Sequence, residues 1–253
     1  MCSVASFCTA AASPALETDT GLPAFANPPE LRSRDGRLDV TMEARETKVA
    51  LGGKTVAGAT YNGVYAGPVL RLKPGDTLRF HLINHLAQAT NVHFHGLGVS
   101  PQGHSDNSMH MVAAGDSWDY IVKIPKDHPP GVYWYHTHGH DFAERQLMGG
   151  LSGTLVIEGF QDQVPATRSL RERLFALKTF SASPGGRLNA MPKPVHGEIK
   201  SINGLVSSRI DIQPGQGAVR LTLDCHHLSA EKSLWGRGLC GQFRSSATAS
   251  QPV

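Results

Sequence analysis

Histidines separated by a single residue mark two short segments of the chain. His93 and His95 form the first pair, and His136 and His138 form the second. Alternate side chains of a β-strand point to the same face, so each pair would direct both imidazoles the same way, about 6.6 Å apart along the strand. Two such strands side by side would bring four imidazoles together, and this donor set suits copper, zinc, iron and nickel.

Either histidine pair would be weak evidence by itself. The chain contains 13 histidines in 253 residues, so roughly 0.7 triplets of this kind are expected by chance. The surroundings strengthen the signal, because β-branched and aromatic residues at 132–135 precede the second pair and favour a strand. Gly96 follows the first pair and allows backbone or ligand to approach closely. We therefore predict a metal site rather than four solvated histidines.

Composition and charge argue against several classes of function. The formal net charge is +3, and no run of basic residues is interleaved with aromatic ones, so a nucleic-acid partner is not expected. No apolar stretch reaches about 18 residues, the length that predicts a transmembrane helix. The 27 glycines and 16 prolines indicate many turns and favour an all-β fold.

The beginning of the chain is expected to be a leader. Residues 4–16 are small and mildly apolar, with alanine-rich sites that a signal peptidase accepts, but no Lys or Arg lies among the first 31 residues. A secretory signal needs a positively charged start. Two interpretations stay open for residues 1–36, a trimmed signal region and a disordered leader.

Alternation of apolar and polar residues predicts eight or so short strands between residues 37 and 160. Turn signals at 73–76 and 127–131 separate some of them, residues 97–116 resemble a loop, and a short helix is expected over 140–146. This density of short strands predicts a β-sandwich or barrel. The predicted strands cover 37–44, 45–51, 55–61, 69–72, 77–84, 91–95, 117–124, 133–136 and 153–158.

A later stretch of the chain repeats an earlier one. Asn62-Gly63 followed by residues 69–75 recurs as Asn203-Gly204 followed by residues 209–215. Such self-similarity predicts tandem domains, although Asn-Gly and Pro-Gly are also common turns. The expected units are a leader over 1–36, a complete domain over 37–160, an incomplete second copy over 161–224 and an irregular tail over 225–253.

Further motifs accompany the histidine pairs in a fixed order. In this combination, and over residues 55–160 above all, the chain resembles the multicopper oxidases of the laccase and copper-efflux oxidase kind; over 170–223 the resemblance is looser. An ordered set of motifs is much more specific than either histidine pair alone. The residues that carry it are Tyr61-Asn62-Gly63, residues 68–76, His93-Phe94-His95-Gly96, Ser105-Asp106-Asn107, residues 130–138, and Arg145-Gln146 with residues 150–153.

The resemblance implies a Greek-key β-sandwich of the cupredoxin type and copper as the metal. It implies that His93 binds the type 2 copper, and that His95, His136 and His138 bind the type 3 pair, of a three-copper cluster that reduces dioxygen to water. Asp106 matches an acidic residue of the family that orients water and delivers protons, so it is the candidate catalytic residue. The reducing substrate would be a phenolic or other aromatic compound or a metal ion.

The second half of the chain departs from the family pattern. The family closes its cluster with four more histidines from a C-terminal domain, which also holds a blue copper through a cysteine and two histidines. The segment Asp224-Cys225-His226-His227 does not match, because it lacks the leading histidine and no histidine follows it. Half of the cluster is therefore expected, with a missing C-terminal domain or a partner chain needed for activity and the chain alone inactive.

Several alternatives stay open beside an N-terminal portion of such an oxidase. One is a non-enzymatic copper-binding cupredoxin protein, and another is a subunit that completes its site in an oligomer. Zinc with a hydrolytic role is the second metal considered, although no His-Glu-x-x-His motif supports it. His104, His110 and His140 are expected to have supporting or surface roles. The family and the leader together favour a periplasmic or secreted location.

Overall fold

Strands dominate the computed structural model. It describes residues 21–139, 143–163, 165–168, 170–188 and 199–210, together with the backbone of 220–226. The all-β fold predicted from the sequence is confirmed. The first 20 residues of the expected leader, and residues 227–253 of the expected tail, lie outside the described residues.

Twelve strands and two short α-helices occur among the described residues. The helices are α1 (Ala143–Gly149) and α2 (Phe160–Gln163), and a 3-10 turn covers Pro165–Thr167. The strands are β1 (Glu30–Arg32), β2 (Arg37–Leu51), β3 (Lys54–Tyr61), β4 (Gly67–Leu72), β5 (Thr77–Asn84), β6 (His93–His95), β7 (Ser117–Lys123), β8 (Gly131–His136), β9 (Ser152–Ile157), β10 (Glu172–Phe180), β11 (Ile199–Ile202) and β12 (Arg220–His226).

Strands β1 to β9 form two facing sheets, so the predicted sandwich is confirmed. One sheet has the order β1-β4-β9-β8-β6 and the other the order β3-β2-β5-β7. Strand β1 pairs in parallel with β4, with Glu30 opposite Val69. This strand lies within the stretch assigned to the leader from the sequence. Its pairing gives the backbone groups at that edge of β4 their hydrogen-bond partners.

Aromatic side chains fill the core between the two sheets. The ring of Phe80 lies 6.4 Å from Tyr61, 5.6 Å from Phe94, 6.3 Å from Tyr120 and 5.8 Å from Tyr135 between centroids. All five side chains are fully buried. Phe94 is the middle residue of β6, and Tyr135 lies near the end of β8. Because neighbouring residues of a strand point to opposite faces, the histidines beside these two residues are directed out of the core.

Strand β2 is continuous, so the predicted division into two strands at residues 44 and 45 is wrong. No turn residue separates the two halves. The buried positions are even-numbered up to Ala44 and odd-numbered at Val49 and Leu51. The second half of the strand buries its other face because it packs beside Tyr65 and Phe180, in a second hydrophobic cluster that reaches β10.

Strands β10, β11 and β12 repeat the arrangement of β2, β3 and β5. Strand β10 pairs antiparallel with β11 and parallel with β12, as β2 does with β3 and β5. The repeated Asn-Gly turns also agree, since Asn62 and Asn203 both have a φ of 53° and the following glycines both have a φ of 78°. Each Asn side chain accepts a backbone hydrogen bond, from Glu43 in one turn and Ala176 in the other. The repeat seen in the sequence therefore extends to the backbone.

Helix α1 connects the end of β8 to β9. The sequence predicted a helix over 140–146, whereas the described helix covers Ala143–Gly149 and residues 140–142 lie outside the described residues. The chain turns at Gly150, where a φ of 127° suits glycine. In the described part of the chain, no helix has the length and apolar character needed to cross a membrane.

Candidate metal centre

Strands β6 and β8 lie side by side and place His93 directly opposite His136. The ring centroid of His93 lies 5.4 Å from that of His95, 5.4 Å from that of His136 and 5.2 Å from that of His138. The ring of His136 lies 5.7 Å from His95 and 5.9 Å from His138. All four imidazoles named from the sequence are therefore brought together.

The cluster is buried on one side and open on the other. Ligand nitrogens of His93, His95 and His136 lie within 4.8 Å of one another. His136 is buried, His93 is half-buried, and His95 and His138 are exposed. Strand β6 is the edge strand of its sheet. The open side of the cluster therefore faces solvent beside this edge.

The Asp106 carboxylate fixes the orientation of His93. This buried side chain accepts hydrogen bonds from Nδ1 of His93 at 3.0 Å and from the backbone N–H of Phe94 at 2.8 Å. Because a carboxylate only accepts, we assign the proton of the neutral ring to Nδ1. The lone pair then lies on Nε2, which is the usual arrangement of a metal-binding histidine held by a carboxylate.

His136 has the same tautomer, held by a backbone carbonyl. Its Nδ1 donates to the oxygen of Thr137 at 2.7 Å, and its Nε2 is buried without a hydrogen-bond partner among the described residues. Burial lowers the pKa of His136 to about 3; the hydrogen bond to Thr137 acts to raise this pKa, and His93, His95 and His138 lower it further. The ring is therefore neutral near pH 7, and its buried lone pair is one that a metal ion would satisfy.

The surroundings also keep the His95 ring suited to metal binding. Burial, followed by the charges of His93 and His138, lowers the pKa of His95, although Asp106 acts in the opposite direction. Trp134 stacks on His136 with centroids 3.8 Å apart and lies 5.2 Å from His95. Imidazoles beside an apolar wall fit a transition metal, and imidazole alone does not distinguish copper from zinc.

Two of the other predicted histidines lie on a different part of the sandwich. The rings of His104 and His110 stack on Trp118, with centroids 4.1 Å and 3.7 Å away. Trp118 packs against the core between the sheets. His140 falls outside the described residues. Neither His104 nor His110 therefore belongs to the described group of converging rings.

Sequence reasoning missed two amide side chains that support the site. Asn91 accepts a hydrogen bond from the backbone N–H of His138 at 2.7 Å and donates to the oxygen of Ser108 at 2.6 Å. Gln146 accepts a hydrogen bond from the hydroxyl of Thr137 at 2.8 Å. Asn91 lies in a predicted strand and Gln146 in one of the ordered motifs. Asn and Gln are mostly exposed in proteins, so the residue type alone does not predict a buried supporting role.

A comparison with protein families identifies the unit that carries this site. Residues 43–162 match the model of the multicopper oxidase family. These residues form a multicopper oxidase domain. The domain contains both strands of the histidine cluster and Asp106, so the resemblance stated from the sequence is confirmed for this part of the chain.

Curated relatives agree with this assignment. The chain is 31% identical over 128 residues to a multicopper oxidase of Staphylococcus epidermidis, and the match covers 50% of this chain and 28% of that protein. It is 33% identical over 115 residues to copper resistance protein A of Escherichia coli, covering 45% of this chain and 18% of that protein. The chain thus matches less than a third of the length of these relatives.

A solved structure extends the similarity beyond the matched domain. A multicopper oxidase of Campylobacter jejuni, described as a metallo-oxidase, superposes with a TM-score of 0.62 at 29% identity, covering 74% of this chain and 41% of that protein. A laccase-like enzyme from Ochrobactrum gives a TM-score of 0.58 at 28% identity, covering 74% of this chain and 42% of that enzyme. The predicted cupredoxin-like sandwich of the multicopper oxidase domain is therefore confirmed.

Proposed function

We propose that this chain is the copper-binding N-terminal portion of a multicopper oxidase that oxidises phenolic, other aromatic or metal-ion substrates and reduces dioxygen to water. In this proposal His93 is a ligand of the type 2 copper, and His95, His136 and His138 are ligands of the type 3 pair. The chain thus supplies half of the ligands of a three-copper cluster. Bound copper would supply the redox chemistry that the side chains lack.

The observation that best supports this proposal is the buried Nε2 of His136. This atom has no hydrogen-bond partner among the described residues and lies within the group of converging rings. A buried acceptor without a partner costs about 1–3 kcal/mol. Coordination of a metal would remove this cost, and no described side chain does so.

The residues around the rings have defined tasks in this proposal. Asp106 holds His93 in the tautomer that presents Nε2, and the carbonyl of Thr137 does the same for His136. Trp134 covers one face of the His136 ring and excludes water there. The contacts of Asp106 support a positioning role, and its delivery of protons to reduced oxygen stays a prediction.

The open side of the cluster supports completion by further ligands. His95 and His138 are exposed, so the rings of another domain or of a partner chain have access to the same metal ions.

We propose residues 37–160 as the first cupredoxin-like domain and 161–224 as part of a second, with β1 added to the first sheet. A periplasmic or secreted location belongs to the same proposal.

Metal analysis of purified variants tests the ligand assignment. We expect His93→Ala and His136→Ala to lose most of the copper bound by the unaltered chain, because each removes a converging nitrogen donor. His110→Ala is the matched control, since His110 stacks on Trp118 instead. Elemental analysis with electron paramagnetic resonance measures both the amount and the type of copper. Equal copper in all three variants would overturn the assignment, and a preference for zinc would favour the other metal.

A further inference from the structure

Gln146 lies on helix α1 with its side chain buried at 3% exposure. Its Oε1 accepts hydrogen bonds from the hydroxyls of Thr90 at 2.7 Å and Thr137 at 2.8 Å. Its Nε2 donates to the backbone oxygen of Ala89 at 2.9 Å. Both threonines are fully buried. One amide therefore joins the helix to the approach to β6 and to the end of β8.

The hydrogen-bond pattern requires one orientation of the Gln146 amide. The Ala89 carbonyl only accepts, so the nitrogen of the amide must face it and the oxygen must face the two hydroxyls. Both lone pairs of that oxygen are then used. A buried network of this kind, with each bond dependent on its neighbours, holds its members in a single arrangement.

Thr137 carries the effect of this network to the metal centre. The hydroxyl of Thr137 is held by Gln146, and the carbonyl of the same residue accepts the Nδ1 hydrogen of His136 at 2.7 Å. The backbone N–H of Thr137 also donates to Leu151 at 3.3 Å. The backbone N–H of His138 lies in the same peptide plane as the Thr137 carbonyl and donates to Asn91 at 2.7 Å. Gln146 on the side chain and Asn91 on this peptide plane together hold the direction of the carbonyl. The direction of the carbonyl in turn sets which nitrogen of His136 carries the proton.

We infer that Gln146 is a positioning residue that acts through Thr137 to hold the His136 ring in the orientation and tautomer with Nε2 free for a metal. The inference rests on the proposed function only where it concerns the metal, because the geometry of the ring is a property of the chain itself. The amide is specific for this task. A Met side chain of similar length at this position would remove the acceptor that the hydroxyls of Thr90 and Thr137 share, and since these hydroxyls lie 3.3 Å apart only one of them could then donate to the other.

Three variants separate positioning from general packing. Gln146→Met removes the shared acceptor, and Thr137→Val removes one hydroxyl beside the ring while keeping the shape of the side chain. Thr60→Val is the matched control, because Thr60 is likewise a fully buried threonine but its hydroxyl bonds to Thr47 of β2, outside this network. Long-range nitrogen–proton NMR of the metal-free proteins reports the tautomer of His136, and titration with copper against a competing chelator reports the affinity.

We expect a single Nδ1–H tautomer of His136 in the unaltered chain and in Thr60→Val, and a mixture of both tautomers in Gln146→Met and Thr137→Val. Loss of a supporting contact of this kind typically lowers metal affinity 10- to 100-fold, and we expect a loss in that range for Gln146→Met. If Gln146→Met does not fold, Thr137→Val decides by the same two measurements.

Two results would overturn the inference. One is an unchanged tautomer in a folded Gln146→Met or Thr137→Val protein, and the other is an equal disturbance in Thr60→Val, which would indicate packing instead of positioning. Failure of the unaltered chain to bind copper would reject the proposed function, whereas the tautomer comparison in metal-free protein would still decide the role of Gln146.

Discussion

At the residue scale, the site depends on which nitrogen of each imidazole carries the proton. His93 donates to the carboxylate of Asp106, and His136 donates to the carbonyl of Thr137. Two different acceptors therefore leave Nε2 as the ligand atom in both rings. The two-residue period of a strand made the convergence of the rings predictable. The hydrogen-bond acceptors of the rings were not predictable. Asp106 contacts His93 only because of the conformation of a long loop, and no periodic sequence pattern describes that conformation.

Replacement of Asp106 tests the importance of that contact. We expect Asp106→Ala to lower copper affinity 10- to 100-fold, because His93 loses the partner that fixes its tautomer. Competition with a chelator measures the change. Asp116→Ala is the matched control, since this exposed carboxylate lies in a turn outside the contacts of the cluster. An equal affinity in both variants would show that Asp106 does not support the site.

At the element scale, the positions of the strands were largely predictable from the sequence, whereas the face that each strand buries was not. The alternation of β5 predicted its span without change, because one face of that strand meets a single core along its whole length. Strand β2 appeared as two strands because its buried face changes between Ala44 and Val49. The change reflects packing against Phe180 of β10, a contact over a long sequence separation that local pattern does not contain. The short strand β1 was missed for the same reason.

Arg71 joins three of these elements through a buried ion network. Its guanidinium lies 2.7 Å from Glu30 of β1, 3.0 Å from Glu172 of β10 and 4.0 Å from Glu158. Burial acts to lower the pKa of Arg71, but the hydrogen bond to Glu30 and the charges of the three carboxylates raise it overall. The guanidinium therefore stays charged and compensates carboxylates that are themselves largely buried.

Removal of this cation is expected to destabilise the fold. Breaking a buried charge network by removing one partner costs about 3–5 kcal/mol, so Arg71→Met should lower the free energy of unfolding by about that amount in urea denaturation. Arg168→Met is the control, because the pair of Arg168 with Asp162 is exposed and such pairs contribute about 0–1 kcal/mol. Similar losses in the two variants would contradict the role assigned to Arg71.

At the scale of the whole molecule, the histidine cluster lies at an edge of a sandwich whose second unit is joined through β10. The family, the fold class and the convergence of the four histidine rings could be predicted from the ordered motifs in the sequence. The amide network of Asn91 and Gln146 could not, since it depends on how α1 packs beside β6 and β8. Side chains that support a site from neighbouring elements become visible only once the packing is known.

The chain by itself is expected to bind copper without turning over. The sequence contains no His-Cys-His segment, and no histidine follows His227, so we expect no copper–thiolate centre in this chain. We predict that the copper-loaded chain consumes no dioxygen above background with a phenolic substrate, measured with an oxygen electrode, and shows no intense visible absorbance of a copper–thiolate bond. Steady oxygen uptake that depends on copper would refute this prediction.

The most direct test of the metal centre is anomalous X-ray scattering at the copper absorption edge from crystals of the copper-loaded chain. We predict a copper peak among the rings of His93, His95, His136 and His138, adjacent to the Nε2 atom of His136. Copper bound only at other positions of the molecule, with those four rings left without a metal, would contradict it.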